Sequence, residues 1–282
     1  MQHHAHSEGT LPPPLLRFLR NPTRTTQPLG RLNLWQGVGW LSLLILVALL
    51  GGLVDGVLEH VLNIHLLNSF QSYLFLHPTW RIALLVAAAP LLEELAFRAM
   101  LSTSPRFIFI GLTFFIAFVY EIFHQQLHTP PAVVVATYFD HFWVLLPAGV
   151  TCFLLYRYAR STVLGFFEKH GVAIFWMSCI LFGAAHDRLY ANHLVWWSFL
   201  LVLPQFLLGV LLASIRVRFG LRWSIAGHYT IDSLFLYGTW LYVSLAPYPN
   251  LQRGMMFAVY ALGIFVVLYG LVMLVRIVRH RC

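Results

Sequence analysis

The sequence has little charge: only 10% of its 282 residues are Asp, Glu, Lys or Arg, and its single lysine is Lys169. A soluble domain of this size carries about 25% charged residues. This chain is instead 59% hydrophobic, with a mean hydropathy of +0.74. Too few polar side chains remain to cover a water-soluble globule. The composition therefore predicts a membrane protein whose first partner is the lipid bilayer.

Cysteine is also scarce. Cys152 and Cys179 lie in apolar segments and Cys282 is the last residue, so neither a disulfide framework nor a CxxC metal motif is expected. The formal charge of +8 would suggest nucleic-acid binding in a soluble protein. Here the arginines form short clusters between apolar runs, without a basic face carrying interleaved aromatics, and no nucleic-acid partner is expected. Residues 1–34 lack an early apolar core and are expected to form a polar N-terminal tail rather than a signal peptide.

Long apolar runs dominate the rest of the chain. A spanning helix needs about 20 mostly apolar residues, and no period of two suggests strands. The sequence therefore predicts an all-α fold in which residues 35–282 form one transmembrane domain of about eight helices. Residues 56–80 are mixed and are expected to form an amphipathic interfacial helix and a loop. The expected spans are 35–54, 82–101, 107–123, 133–156, 171–186, 194–215, 223–245 and 255–277.

The basic residues between these spans are distributed unequally. Lys and Arg collect on the cytoplasmic side of multi-pass proteins. Three of them, Arg81, Arg188 and Arg253, fall on one side of the expected bundle, while Arg98 lies within a span. The asymmetry predicts cytoplasmic N- and C-termini. The lack of a visible targeting segment and the compact size favour a cell inner (plasma) membrane. The opposite side carries fourteen: Arg17, Arg20, Arg24, Arg31, Arg106, Arg157, Arg160, Lys169, Arg216, Arg218, Arg222, Arg276, Arg279 and Arg281.

Several ionisable residues lie inside the expected spans, where they are costly and are functional candidates by default. Glu94 and Arg98 are four residues apart, so they share a helix face and can pair. Glu93 is rotated from Glu94 by about 100° and is expected to point away from Arg98. His186 follows small residues that permit close helix packing. The full set is Glu93, Glu94, Arg98, His186, His228 and Asp232.

These residue types allow two chemistries. Glu93 and His186 could deprotonate a water while His228 and Asp232 stabilise a tetrahedral oxyanion. Alternatively, Glu93, His186 and His228 could bind a metal such as zinc, which lowers the pKa of a bound water. The HExxH spacing of common zinc proteases is absent. The residues alone leave both alternatives open.

Three ordered motifs carry a family resemblance. Glu93 to Arg98 reads EExxxR, Phe182 to His186 reads FxxxH, and His228 to Asp232 reads HxxxD. In this order, on apolar helices, they resemble the CPBP family, the CAAX-protease and bacteriocin-processing (Abi) intramembrane proteases, over roughly residues 85–240. The last motif of that family often ends in Asn, whereas this chain has Asp232.

The resemblance implies a glutamate-dependent intramembrane endopeptidase without a required cofactor, acting on a membrane-associated protein or peptide. Glu93 and His186 would activate the water, and His228 and Asp232 would form the oxyanion site. Glu94 and Arg98 would support this arrangement. The expected spans put His228 near the cytoplasmic end and His186 towards the far side, so convergence requires tilted or shifted helices.

Other interpretations remain. Glu121, His124 and His128 could form a second, metal-binding cluster, and Asp140 with His141 could line a cavity. Intramembrane carboxylates and histidines also build proton relays, so a transporter is an alternative. A non-catalytic immunity-type membrane protein is a third.

Overall fold

The computed structural model describes residues 34–62, 79–128, 142–186, 202–245 and 247–279. Almost all of these residues are helical and none of them forms a β-strand, which confirms the predicted all-α class. Two short 3-10 segments, Ala99–Leu101 and Phe142–Val144, interrupt the described helices. The eight α-helices of the described ranges are α1 (Leu34–Leu62), α2 (Thr79–Phe97), α3 (Pro105–His128), α4 (Leu145–Tyr158), α5 (Arg160–Ala185), α6 (Leu203–Phe219), α7 (Leu221–Ser244) and α8 (Pro249–Arg279).

Two helical stretches within the described residues are long and apolar enough to cross a bilayer, Arg160–Ala185 and Pro249–Val272. Gly37–Gly51 and Pro105–Tyr120 are apolar but shorter. By length and composition the described helices thus give two candidate spans, and the total of about eight stays a prediction.

The helix boundaries differ from the expected ones at several points. Helix α1 continues to Leu62, into the segment expected to lie at the interface. Helix α5 begins at Arg160 and bends at His170, whose φ of −109° and ψ of 15° are not helical. The starts of the expected fourth and sixth spans, and the tail 1–33, lie outside the described residues.

Helix α6 lies at the centre of the described bundle and packs against α1, α5 and α7. On one side Leu212 and Ile215 join a buried cluster with Trp40 and Leu44 of α1 and with Ile231 of α7. On the other side Ala213 packs against Phe175 and Cys179 of α5. Helix α2 packs against α3 and α7, and α8 packs on α1. The motif-bearing helices α2, α5 and α7 are therefore held around one scaffold helix.

Helix α2 ends abruptly at Phe97, and its last carbonyls are satisfied by other helices. The Ser178 hydroxyl of α5 donates to the Phe97 carbonyl at 2.6 Å. The Arg216 Nε of α6 donates to the Arg98 carbonyl at 3.0 Å. Carbonyls at a helix C-terminus lack partners within their own helix, and a buried unpaired carbonyl is costly. These two bonds hold the EExxxR segment against α5 and α6.

The turn between α6 and α7 depends on Gly220, whose φ is +98°. Side chains are disfavoured in this backbone region, whereas glycine adopts it readily. The Gly220 amide donates to the Arg216 carbonyl at 3.0 Å and closes α6, and α7 begins at the next residue. The chain reverses direction at this tight turn, so α7 packs against α6. His228 is thereby placed beside the Glu93 and Glu94 side chains of α2.

Helices α5 and α6 approach closely at Gly183, as the small residues before His186 predict. A Cβ at Gly183 would lie 3.0 Å from the Phe206 Cβ and 3.1 Å from its Cα. Because a helix backbone cannot yield as a flexible side chain does, Gly183→Ala is expected to destabilise the protein by about 1–3 kcal/mol. The measurement is the thermal midpoint of the purified protein in detergent.

Gly165→Ala on the same helix is the matched control. A Cβ at Gly165 meets nothing within 4 Å, so this variant is expected to be neutral or stabilised by up to about 1 kcal/mol. Equal midpoints for the two alanine variants would contradict the close α5–α6 contact.

Candidate active site

The centre of the site is the imidazole of His228, two turns into α7 and almost fully buried. Its Nε2 lies 3.7 Å from Glu93 Oε2 of α2 and 3.7 Å from Asp232 Oδ1, one turn further along α7. Both distances are too long for a direct hydrogen bond, but a single water can bridge polar atoms at such separations. Two carboxylates from different helices therefore converge on one imidazole nitrogen.

Glu94 lies on the other side of the same imidazole and is completely buried. Its Oε1 is 3.1 Å from His228 Nδ1 and 3.6 Å from Arg98 Nε. The Ser224 hydroxyl of α7 donates to its Oε2. The pairing with Arg98 is the one that the spacing predicts. The contacts with His228 and Ser224 were not predicted, and they connect Glu94 directly to the HxxxD helix α7.

Arg98 is also completely buried, and it contacts an aromatic ring rather than hydrogen-bond acceptors. Its guanidinium carbon lies 3.8 Å from the centre of the Phe182 ring, within cation–π range. Among the described residues, none of its three guanidinium nitrogens has a hydrogen-bond partner. The lack of a side chain at Gly209 leaves room for the contact between Arg98 and Phe182. A Cβ at this position would lie 2.9 Å from Phe182 Cδ1 and 3.4 Å from Arg98 Nη2. Arg98 therefore acts as the buried counter-charge of Glu94.

His186 reaches the site from the C-terminus of α5. Its Nδ1 is 2.8 Å from the Phe182 carbonyl one turn earlier, so an Nδ1–H donates along its own helix. The Phe182 ring centre is 4.8 Å from the His186 ring centre and 5.6 Å from that of His228, and it thus links the two imidazoles.

Glu93 and His186 are predicted to act together on one water, and this stays a prediction. Glu93 lies within 4 Å of His228, and no such pair joins it to His186 among the described residues. The physical reason is that the Phe182 carbonyl holds the His186 ring at the end of its own helix. The six predicted residues do lie in one region, because the last turns of α5 pack against the end of α2, where Ser178 contacts Phe97 and Phe182 contacts Arg98.

Exposure rises across the site in one direction. The side chain of Glu94 is 0% exposed and that of His228 is 4% exposed, whereas Glu93 is 14% and Asp232 is 31% exposed. Along the axis of α7, His228 lies about 10 Å from the first residue of the helix. Glu93 and Asp232 therefore lie on the more exposed side of the His228 ring, and Glu94 and Arg98 lie on its buried side.

Ser224 belongs to the site through its bond to Glu94, although none of the three motifs includes it. It precedes His228 by four residues, as His228 precedes Asp232, so the three side chains share one stripe of α7. This spacing of four is the signal that could have found it. Ser178 and Arg216, which satisfy the end of α2, show no comparable signal because their partners are backbone carbonyls.

Metal ligation was the alternative use of Glu93, His186 and His228. Within the described ranges, no group of three His, Cys, Asp or Glu residues has a metal-holding arrangement. The side chains of Glu121, His124 and His128, and both Asp140 and His141, lie outside what the structure describes.

Comparison of the chain with protein-family models, with curated proteins and with solved structures finds no match.

Proposed function

We propose that the chain is a multi-pass protein of a cell inner (plasma) membrane, with about eight spans and cytoplasmic termini. Only 6% of the Pro249–Val272 window and 22% of the Arg160–Ala185 window is buried, whereas the core helix of a soluble protein is mostly buried. Large apolar side chains of α8, among them Phe257, Leu262 and Phe265, are more than half exposed. Lipid would cover this surface.

Topology reporters test this arrangement. Fusions after Arg160 and after Arg218 are expected to report the cytoplasm, and fusions near Arg188 and Arg253 the opposite side, because basic residues are retained on the cytoplasmic face. Reporters that are active only on one side of the membrane provide the measurement. Two or more fusions on the wrong side would reject the eight-span model.

We propose further that the protein is an intramembrane endopeptidase of the CPBP type, which hydrolyses a peptide bond in or near the membrane. One observation carries this proposal: Glu93 and Asp232 converge at 3.7 Å on the same nitrogen of His228, in an otherwise apolar helical bundle. Carboxylates and imidazoles at this separation can share a water and its protons. A purely structural ion pair would not need two carboxylates at one nitrogen.

The reaction needs the chain's own groups and one water. Glu93 takes a proton as the water oxygen bonds to the scissile carbonyl carbon, and the carbonyl π electrons move to its oxygen. A protonated His228 Nε2 donates a hydrogen bond to this oxyanion, and Asp232 stabilises the imidazolium. The C–N bond then breaks and the amine nitrogen receives the proton held by Glu93. The net change is addition of water across one peptide bond.

The catalytic test is cleavage of membrane-inserted and lipidated peptides by the reconstituted protein, with products identified by mass. Wild type and Ser214→Ala are expected to cleave the same peptide at similar rates, whereas Glu93→Gln is expected to lose almost all of this activity. Ser214 is the control because its hydroxyl donates its single proton to the Val210 carbonyl of its own helix, at 2.7 Å. Equal product from wild type and Glu93→Gln, or proton-coupled uptake without cleavage, would reject the peptidase assignment.

Chelation distinguishes the two water-activating chemistries. If Glu93 and the histidines act without a metal, activity is expected to be retained after prolonged dialysis against a strong chelator, because no group then leaves the site. Activity and metal content are measured on the same sample. Activity that is lost on chelation and restored by stoichiometric zinc would assign Glu93, His186 and His228 to a metalloprotease site.

A further inference from the structure

The polar groups on the sealed side of His228 form a layer of their own. Glu94 contacts His228 Nδ1, Arg98 and Ser224, and all of these side chains are buried. None of these contacts reaches the more exposed side of the site, where Glu93 and Asp232 lie. We infer that Glu94, braced by Ser224, is a positioning residue that keeps a proton on His228 Nδ1 and so makes Nε2 the nitrogen that exchanges protons. This inference builds on the proposed peptidase function.

The charge of Glu94 follows from its partner. An arginine side chain stays protonated in proteins, and a buried charge without a counter-charge is strongly destabilising. Within the described residues, the ion pair with Glu94 is the only one that Arg98 makes. Arg98 therefore requires Glu94 as a carboxylate. An ionised carboxylate accepts hydrogen bonds and cannot donate them.

The hydrogen between Glu94 and His228 must therefore belong to the histidine. The Oε1 to Nδ1 distance of 3.1 Å is a hydrogen-bond distance, and the acceptor is the carboxylate oxygen. His228 thus carries its Nδ1 proton whether the ring is neutral or cationic. A carboxylate that fixes a histidine tautomer in this way serves the same purpose in the serine-protease triad.

The remaining nitrogen, Nε2, faces the groups of the reaction. When it is bare it can accept a proton, and when it is protonated it can donate to an oxyanion or to the leaving amine. Glu93 and Asp232 lie 3.7 Å from it, and both are more exposed than Glu94. His186 repeats the arrangement, since its Nδ1 is bound to the Phe182 carbonyl and its Nε2 remains free of that bond.

Ser224 stabilises the orientation of the Glu94 carboxylate. Its hydroxyl has two nearby acceptors, Glu94 Oε2 and the Leu212 carbonyl at 3.0 Å. A hydroxyl has one proton, and hydrogen bonds to charged acceptors are about twice as strong as neutral ones. Ser224 therefore donates to Glu94. With Arg98 and His228 on Oε1 and Ser224 on Oε2, the carboxylate plane cannot rotate freely.

The tautomer is measured directly by ¹⁵N NMR of histidine-labelled, full-length protein in lipid nanodiscs, with the His228 signals assigned by their loss in His228→Gln. Wild type is expected to show a protonated, pyrrole-type Nδ1 at every pH studied, while only Nε2 changes between pyridine-type and pyrrole-type. A pyridine-type Nδ1 in folded wild type would overturn the inference.

Ser224→Ala tests whether the Ser224 hydroxyl fixes the orientation of the Glu94 carboxylate. Ser214→Ala is the control, because both serines are 0% exposed. Ser224→Ala is expected to give a mixture of His228 tautomers and about tenfold lower turnover. A tenfold loss is the size expected when one hydrogen bond to a charged group is removed. Ser224→Thr keeps the hydroxyl and is expected to recover part of the Nδ1-protonated tautomer population and part of the turnover. Unchanged tautomer populations in Ser224→Ala would overturn the role given to Ser224.

The NMR readout also separates this inference from the proposed function. Wild type with the expected tautomer but without any hydrolysis of peptides would reject the peptidase and leave the positioning role of Glu94 intact. Hydrolysis together with a bare Nδ1 would reject the positioning role and leave the peptidase intact.

Discussion

Glu93→Gln is expected to lower turnover by about 10²–10⁴, the loss that follows removal of a general base. Glutamine has nearly the same shape as glutamate but cannot take a proton from water at neutral pH. Glu93 has no arginine partner among the described residues, and its side chain is 14% exposed, so the amide leaves no buried charge unpaired. Yield and thermal midpoint are therefore expected to match those of wild type. Single-turnover cleavage rates and unfolding curves of the same preparations give the comparison.

The adjacent variant, Glu94→Gln, is the matched control for this prediction. It has the same side-chain change one residue away, but it leaves Arg98 buried without its counter-charge, so yield and midpoint are expected to fall. Equal yields and equal activities for the two glutamine variants would contradict the division of roles between Glu93 and Glu94.

Much of the architecture follows from short-range spacing. The apolar runs predict helices, and the four-residue spacing of Glu94 with Arg98 and of His228 with Asp232 predicts pairs that the structure contains. Gly183 predicts a close helix contact, and α6 is found against it. These features depend only on residues within one or two helical turns.

The features that were not predicted depend on how separate helices meet. The rotation of about 100° between Glu93 and Glu94 suggested unrelated partners, yet both reach His228, because its two nitrogens face opposite sides of the ring. The partner of Glu93 depends on where α5 ends relative to α2, which a local pattern does not encode.

The ion pair between Glu94 and Arg98 predicts the second large effect, a loss of stability. Arg98→Met is expected to destabilise the protein by about 3–5 kcal/mol, because it leaves Glu94 as an uncompensated buried carboxylate. Arg222→Met is the control, since Arg222 is exposed and its replacement is expected to change stability by at most about 0.5 kcal/mol. Denaturation of the purified proteins in mild detergent gives the measurement.

The double variant separates the two roles of Glu94. Replacing both partners, as Glu94→Gln with Arg98→Met, removes both charges, so its loss of stability is expected to be smaller than the sum of the two single losses. Its activity is not expected to return. Since the side-chain amide introduced by Glu94→Gln can donate to His228 Nδ1, the wrong tautomer becomes accessible, a change that costs about 10⁴ in the serine-protease triad. A double variant that regains both stability and turnover would show that the role of Glu94 is confined to neutralising the charge of Arg98. Additive losses of stability would instead show that the two charges do not depend on each other, contrary to their 3.6 Å contact in a fully buried site.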